Sequence, residues 1–475
     1  MSRARLIAWT LLAAGGFALL APPAAAQPAL PQKKSDATSA VTTWRDTPRG
    51  GIPKEELKAA KEHFAKFAQY YAEVVAHPAV WKATQDFKIE APGAVKPPTI
   101  DGPNGILVEL DRYLIEPVPN SGKPNTEPGD YIRELGAALD AALKNMIETH
   151  PELIVRINAA RVLSHVTKTG APAHFATLTA LLSNPTTHPA VKNYLYVAAG
   201  AALSANDPYD IKIRKHAVEP KAVGALVKVL DDSVNSPALL VPGLPAGNLE
   251  EVAPDQVAVL GAVRRQAVRA LAKTKFASLP GPDGKTKIYP AATLARVALR
   301  DPAFVPAPGP AESIEAVLGL LNMAPVEEKG GRFIADKAYN PDVALEAILS
   351  GLVTFAAPRA ANPFDRTLPW RTYALQTADA LQNWRRLFDP EYDIMQPTKF
   401  DAKAVPAAIE AMYKEVVPSV LAPMDKLDLS GKPDATVTVK IQELKARLAE
   451  TKARPNRNTL MFKGVEKTSI EPAKK

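Results

Sequence analysis

Residues 151–163 read PELIVRINAARVL and decide the fold that this sequence predicts. Counted from Val155, apolar residues stand at offsets 0, 4, 7, 8 and 11, the last of them Val166. That spacing places their side chains on one face of an α-helix. A basic residue, Arg156, occupies offset 1. The stretch therefore predicts a helix that buries one apolar stripe against a neighbouring element.

The same template recurs twice farther along the chain. The second copy begins at Val191 and has Lys192 at offset 1, and the third begins at Val263 and has Arg264. The third copy breaks at its last apolar position, which is Thr274. Three copies of one stripe predict three helices that use the same face for packing.

A second helix type alternates with the first and ends in Leu-x-Asn or Leu-x-Asp. Its copies end at residues 182–184, 230–232 and 299–301. Insertions at 205–216 and 233–254 lengthen the connections, so the 36-residue interval between the first two template copies becomes 72 residues between the second and third. The chain thus reads as successive helix pairs separated by insertions of different length.

This alternation resembles the HEAT repeat family over about 130–300. Residues 151–163 and 263–271 look like that family's second helix, with its hydrophobic–Arg–x–x–Ala pattern. The resemblance implies an α-solenoid of paired helices, because a short pair cannot bury its own apolar face and must stack on its neighbours. We therefore expect an all-α, HEAT-like α-solenoid of helix pairs with proline-rich insertions and a helical C-terminal extension.

The N-terminus has the pattern of a secretory signal peptide over residues 1–26. Arg3 and Arg5 precede an uncharged stretch at 6–21, and small residues lead up to Ala26. The uncharged stretch has 16 residues, fewer than the ~20 that span a bilayer. We expect cleavage near Ala26, a periplasmic or secreted protein, and no transmembrane segment in the mature chain.

Composition shifts divide the rest of the chain into five segments. In order we expect a disordered tether at 27–52, a helical segment with proline-rich loops at 53–128, HEAT-like repeats at 129–325, a C-terminal helical region at 326–452 and a disordered basic tail at 453–475. Beyond residue 300 the repeat weakens, but helices are still predicted at 312–322, 341–356, 370–388, 402–417 and 437–452, with loops at 357–369 and 389–401.

Composition also excludes several kinds of chemistry. The 475 residues contain no cysteine, which excludes disulfide scaffolds, Cys-ligated metal sites and thiol nucleophiles. The formal net charge of +8 falls to about +6 without Arg3 and Arg5. So mild an excess does not require a nucleic-acid partner. We expect no nucleic acid and no cofactor.

The histidines and the one phosphate-loop-like sequence favour structural roles. His77, His150 and His188 each precede a proline, which is typical of a helix boundary. Residues 284–286 read Gly-Lys-Thr, but Leu279 stands where a phosphate-binding loop needs glycine, so a turn is predicted. The sequence shows no metal-binding histidine pair and no catalytic motif. We therefore assign no catalytic, cofactor or metal residue.

A basic ridge is the first candidate binding feature. Arg265, Arg269 and Lys273 are spaced i, i+4 and i+8 on one helix. They form either a solvated face or the docking site of an anionic partner on the concave side of the solenoid. The adjacent Arg264 is expected to have a structural role, bonding the ends of neighbouring helices.

An aromatic and basic segment is the second candidate. Trp370, Arg385 and Arg386 lie in a predicted helix whose stripe also includes Trp384. Most of these aromatic residues are expected in the core. Any that stay exposed beside the arginines would suit a protein interface or a sugar ring.

These observations predict an exported, non-enzymatic scaffold that binds a partner along the solenoid surface. The expected partner is another envelope protein, which could be anionic, or an anionic polymer. The alternative is an extracytoplasmic all-α enzyme or binding protein that acts on polysaccharide, with its cleft near 357–400. A structural spacer with no ligand is a third possibility.

Overall fold

The computed structural model describes the chain in separate ranges. They are residues 31, 35–46, 52–85, 99–101, 105–114, 130–206, 218–244, 252–329, 332–361, 368–369, 372–373, 375–377, 379–380, 435–453 and 460–465. The predicted signal peptide, the predicted helix at 402–417 and the predicted loop at 389–401 lie outside these ranges.

Helices make up most of the described residues, which confirms the all-α prediction. In chain order they are α1 Ser35–Asp46, α2 Leu57–Ala76, α3 Pro78–Gln85, α4 Ile106–Leu114, α5 Asp130–Thr149, α6 Leu153–Val166, α7 Ala173–Ser183, α8 Pro189–Ala205, α9 Pro220–Asn235, α10 Pro237–Leu240, α11 Pro254–Leu271, α12 Pro290–Ala298, α13 Pro310–Asn322, α14 Pro341–Ala361 and α15 Ala435–Lys452. A 3₁₀ turn, Thr167–Thr169, follows α6.

From α5 onward the helices lie in two rows. In the first row, α5, α7, α9, α12 and α14 each contact the next, and in the second row α6, α8, α11 and α13 do the same. Helices also pack across the rows in the pairs α5 with α6, α7 with α8, α9 with α11 and α12 with α13. The core runs between the rows. At the two ends, α2 packs on α5 and α15 packs on α14.

The predicted stripe is the buried face of the second row. The template residues are buried on all three helices: Val155, Ala159, Val162, Leu163 and Val166 on α6; Val191, Leu195, Ala198, Ala199 and Ala202 on α8; Val263, Ala267, Ala270 and Leu271 on α11. Six of these fourteen residues are alanines, whose small side chains let neighbouring helices approach closely. The shared sequence pattern thus corresponds to a shared packing role.

Two short antiparallel hairpins join or follow these helices. Strands β1 Leu279–Pro280 and β2 Lys287–Ile288 pair across the turn that was predicted at 284–286. In that turn the carboxylate of Asp283 accepts the Lys285 and Thr286 N–H groups and the Thr286 hydroxyl. These hydrogen bonds, led by those from Thr286, lower the pKa of Asp283.

The second hairpin corrects the expectation of an entirely helical C-terminal region. Strands β3 Val326–Lys329 and β4 Arg332–Ala335 pair in register, with Val326 opposite Ala335. In the sequence, two glycines at 330–331 separate two short runs, which is a known hairpin signal that the helix-based prediction overlooked.

Both segments predicted to be disordered contain ordered structure. Within the predicted tether, α1 buries Val41 and Trp44, and the Trp44 ring lies 5.5 Å from that of Phe64 on α2. Within the predicted tail, Met461 and Phe462 are buried, and Phe462 pairs with Tyr339 in an isolated bridge. The predictions were wrong for these stretches because polar flanking residues masked a few apolar anchors that long-range contacts bury.

Helix α14 differs from its prediction in two respects. It continues through Pro358 to Ala361, where a loop was expected to begin at 357. By length and composition its span Pro341–Pro358 could cross a membrane, which the sequence analysis missed. The chain packs around it, since 61% of that span is buried and α13 and α15 lie against it. This burial is typical of a core helix in a soluble protein.

Two glycines of the second row give a test of this packing. A Cβ at Gly319 on α13 would lie 2.5 Å from Leu294 Cδ1 and 2.7 Å from Ala272 Cβ, whereas a Cβ at Gly261 on α11 meets no atom within 4 Å. We expect Gly319→Ala to lower the free energy of unfolding by about 1–3 kcal/mol because it overpacks the core. Gly261→Ala should raise it by up to about 1 kcal/mol, because alanine favours the helix.

Urea unfolding followed by circular dichroism would measure both variants. Equal effects of the two substitutions would contradict the close approach of α11, α12 and α13.

Candidate partner-binding face

Two of the three basic residues at offset 1 of the template, Arg264 and Lys192, are buried, whereas Arg156 is half-buried. Arg264 on α11 is buried, and its Nε donates to Glu312 Oε1 at 2.5 Å. The other oxygen of Glu312 accepts the Gly309 N–H at 2.7 Å, at the beginning of α13. The expectation that Arg264 bonds a neighbouring helix end is therefore confirmed.

Lys192 occupies offset 1 of the template on α8, as Arg264 does on α11, and it is also buried. Its Nζ donates to the carbonyl of Leu239, in α10. Desolvation lowers the pKa of Lys192 to about 8. Because Lys192 is the only charged residue of α8, the outer surface of that helix carries no charge of its own.

Two members of the predicted basic ridge are engaged within the chain. Arg269 Nε donates to Glu315 Oε1 on α13 at 2.9 Å, and Arg265 lies 3.8 Å from the same carboxylate. The Tyr373 hydroxyl donates to Glu315 at 2.6 Å and accepts hydrogen bonds from both arginines. Glu315 is only 6% exposed, so its charge compensates the arginines at close range.

Tyr373 itself is buried against α14. Its ring meets that of Phe355 edge-on, with the centroids 5.7 Å apart. Desolvation, and then the neighbouring carboxylate of Glu315, raise the pKa of Tyr373. Tyr373 therefore covers part of the ridge. Sequence analysis could not find this contact, because Tyr373 and Glu315 are 58 residues apart.

Lys273, the third ridge residue, lies outside the predicted helix, because α11 ends at Leu271 and Lys273 is in the turn that follows. It is exposed, and among the described residues none forms an ion pair with it. Its stem packs on α8, with Cγ 3.6 Å from the position of a Cβ on Gly200. Desolvation lowers the pKa of Lys273, while Glu315 acts in the opposite direction. Of the ridge residues, Lys273 is the one best placed to meet an external anion.

Beside Lys273, α8 presents an uncharged outer surface. Tyr194, Val197 and Ala201, spaced i, i+3 and i+7, form what we term the α8 strip. Val197 is 41% exposed, and the other two are partly exposed. On the opposite side of the strip, the Arg161 guanidinium of α6 lies 5.6 Å from the centre of the Tyr194 ring. The strip thus lies between Arg161 and Lys273.

The α6 side of this face already holds carboxylates. Arg161 pairs with Asp101, and His165 Nε2 lies 2.5 Å from Asp111 Oδ1 on α4. Lys168 Nζ lies 3.3 Å from the other ring nitrogen of His165. Asp101 and Asp111 are both more than half exposed. A helix of this chain is therefore anchored on α6 by acidic side chains.

A buried cluster that sequence analysis missed has the connectivity of a catalytic triad. His174 Nδ1 lies 2.9 Å from both oxygens of Asp140, and its Nε2 lies 2.8 Å from the Thr169 hydroxyl. Thr169 also donates to the Val166 carbonyl. All three side chains are nearly inaccessible, and His174 is fully buried. The cluster joins α5, the 3₁₀ turn and α7, which is a structural role.

A second polar cluster joins α9 to α12. Desolvation raises the pKa of Asp231 to about 6, and a hydrogen bond from Thr293 opposes the shift. Arg296 donates to Asn235 at 2.8 Å and to Asp301 at 2.6 Å. One acid from each of two predicted Leu-x-Asp stretches, Asp231 and Asp301, belongs to this cluster, but α9 does not end at that stretch and continues to Asn235. The cluster connects two successive first-row helices.

The three histidines before proline share one geometry. Each Nδ1 accepts the backbone N–H two residues later, at 3.1–3.2 Å. The predicted helix boundary is confirmed at His77 and His188, where proline opens α3 and α8. At His150 the next helix begins at Leu153, two residues later than predicted.

The other predicted site residues lie outside the described ranges: Trp370, Arg385 and Arg386. Among the residues that the structure describes, no group of three His, Asp or Glu side chains is arranged to hold a metal ion. No protein-family model matches the chain, and no curated protein sequence matches it.

A substitution of Glu315 tests whether its carboxylate compensates the charges of Arg265 and Arg269. We expect Glu315→Gln to lower the free energy of unfolding by about 1.5–3 kcal/mol, since it removes a buried charged acceptor from two arginines and a tyrosine. The control is Glu450→Gln on α15, an exposed partner of Arg447 whose loss should cost less than about 1 kcal/mol. Urea unfolding measures both, and equal losses would contradict the buried network.

The cap at His188 predicts a pH dependence. Desolvation and then Arg156 lower the pKa of His188 in the folded chain. The unfolded chain therefore binds a proton first, and stability falls as the pH drops below about 6.5. We expect His188→Asn, which keeps an acceptor for the cap, to lose less stability than the wild type between pH 7.5 and 5. Parallel slopes in urea unfolding over that range would contradict the prediction.

Proposed function

We propose that this chain is a non-enzymatic scaffold, built as a HEAT-like α-solenoid, that binds a protein partner on the outer face of α6, α8 and α11. The observation that carries the proposal is the arrangement of helices in two rows, with each helix packed on the next of its row and on one across. Stacked pairs of this kind are the architecture of α-solenoids, whose extended surfaces serve in recognition.

The second-row face has the features expected of such a surface. Its buried side is occupied by the template stripe, so the opposite side of α8 is left for contact with a partner, together with the parts of α6 and α11 that α4 and Tyr373 do not cover. That side combines the uncharged α8 strip with cationic groups, among them Lys273. A mixture of apolar centre and charged rim is typical of protein interfaces.

The N-terminal pattern supports an extracytoplasmic site of action. A leader at 1–26 would deliver the mature chain to the envelope or the medium. The partner would then be another exported or envelope protein. The ordered α1 at Ser35–Asp46 implies that the scaffold begins soon after the leader.

Affinity capture would test the proposal. Residues 27–475 serve as bait in an extracytoplasmic fraction of cells that produce the chain, beside a face variant with Val197→Asp and Lys273→Glu. The matched control is Lys445→Glu, an exposed charge reversal on α15. We expect one protein at near-unit ratio with the wild type and the control, and at least a tenfold loss with the face variant.

Other outcomes would revise the proposal in defined ways. Equal capture by all three baits would keep the scaffold and discard the face. Failure of every bait to retain a protein, together with turnover of a glycan by the pure chain, would overturn the scaffold in favour of the polysaccharide enzyme.

A further inference from the structure

The α8 strip has cations on both sides and none of its own. Arg161 approaches Tyr194 from α6, and the stem of Lys273 lies over Gly200 from the turn that follows α11. Arg269, in the last turn of α11, precedes Lys273 by four residues. The strip itself offers an aromatic ring, an exposed valine and an alanine. Arg161 is paired with Asp101, and Arg269 with Glu315. The strip is therefore an apolar band whose cation without an ion-pair partner among the described residues is Lys273.

The spacing of the helices sets the size of what fits. Packed helices lie about 8–10 Å apart, so the backbones of α6 and α11 lie on the order of 16–20 Å from each other across α8. An α-helix with its side chains is about 10–12 Å wide. A single helix lying along α8 would thus reach both borders with its flanking side chains.

The chain shows how this face receives a helix. Its own α4 lies against α6 and contributes Asp111, and the preceding Asp101 pairs with Arg161. In α4 the exposed acid that contacts α6 is Asp111, which stands among apolar residues. The exposed amine of Lys273, on the other side of α8, could take a carboxylate in the same way.

Resting on the proposed function, we infer that the α8 strip binds an acidic amphipathic helix of the partner protein. Apolar side chains at i, i+3 and i+7 of that helix cover Tyr194 and Val197. Carboxylates on one flank reach Lys273, and the other flank lies beside the Arg161–Asp101 pair. An anionic polymer would use the cations alone, so its binding would not depend on Val197.

The absence of cysteine from the sequence allows a direct test. Val197→Cys places the only thiol of the chain on the strip, and a benzophenone maleimide attached there reacts with whatever covers it. The matched control is Lys445→Cys on the exposed face of α15. Each labelled full chain is irradiated in the extracytoplasmic fraction, and the cross-linked peptide is identified by mass spectrometry. Thermal unfolding verifies that both variants fold like the wild type.

The expected result is a cross-link from position 197, and not from 445, to a partner segment with Asp or Glu beside apolar residues at helical spacing. Adding Lys273→Glu to the Val197→Cys chain should reduce the yield at least tenfold. A neutral or basic segment, an equal yield from position 445, or a yield that is insensitive to Lys273→Glu would each overturn the inference.

The scaffold and the inference fail in distinguishable ways. Capture of a partner by the wild-type bait without a cross-link from position 197 would overturn the inference and leave the proposed function standing. No captured protein and no cross-link would overturn both. A Lys273-dependent capture that survives Val197→Asp would identify an anionic polymer and reject the helix.

Discussion

A helix in this chain can bury its apolar stripe only when another helix lies against it, and the rest of the fold depends on that constraint. Helix α8 has such neighbours on two sides: it packs between α6 and α11 in its own row, and on α7 across the core. Its alanines and Gly200 permit that approach. The insertions change the length of the connections between helices. Each second-row helix nevertheless packs on a neighbouring helix of its row and on one helix of the first row.

The polar residues of the template serve the same packing. Arg264 and Lys192 are buried cations, and each donates to an acceptor from the following structural unit, a carboxylate in one case and a carbonyl in the other. Such groups are costly to leave unpaired, so they fix which helix end lies beside which. The apolar stripe thus determines which faces of neighbouring helices pack together. The buried cations determine how those helices are aligned along their length.

The parts of the fold that sequence could predict are those encoded locally. The stripe of α6 lies within twelve residues, and it was predicted with the correct buried face. Helix α1 was missed because only two of its large apolar residues, Val41 and Trp44, are buried, and a distant helix buries them. The candidate site behaved similarly. The spacing of Arg265 and Arg269 was visible, but the buried acceptor Glu315 and the covering Tyr373 come from elements 46 or more residues away.

The caps at the histidines before proline have a consequence for reactivity. An imidazole whose Nδ1 accepts a backbone N–H must, when neutral, carry its proton on Nε2. His77, His150 and His188 are thereby fixed in one tautomer by the backbone itself. Neither nitrogen then offers a lone pair to a substrate proton or a metal ion unless the cap breaks or the ring loses its proton. Three of the seven histidines are thus held in the turns between helices, each with its Nδ1 lone pair used by the backbone.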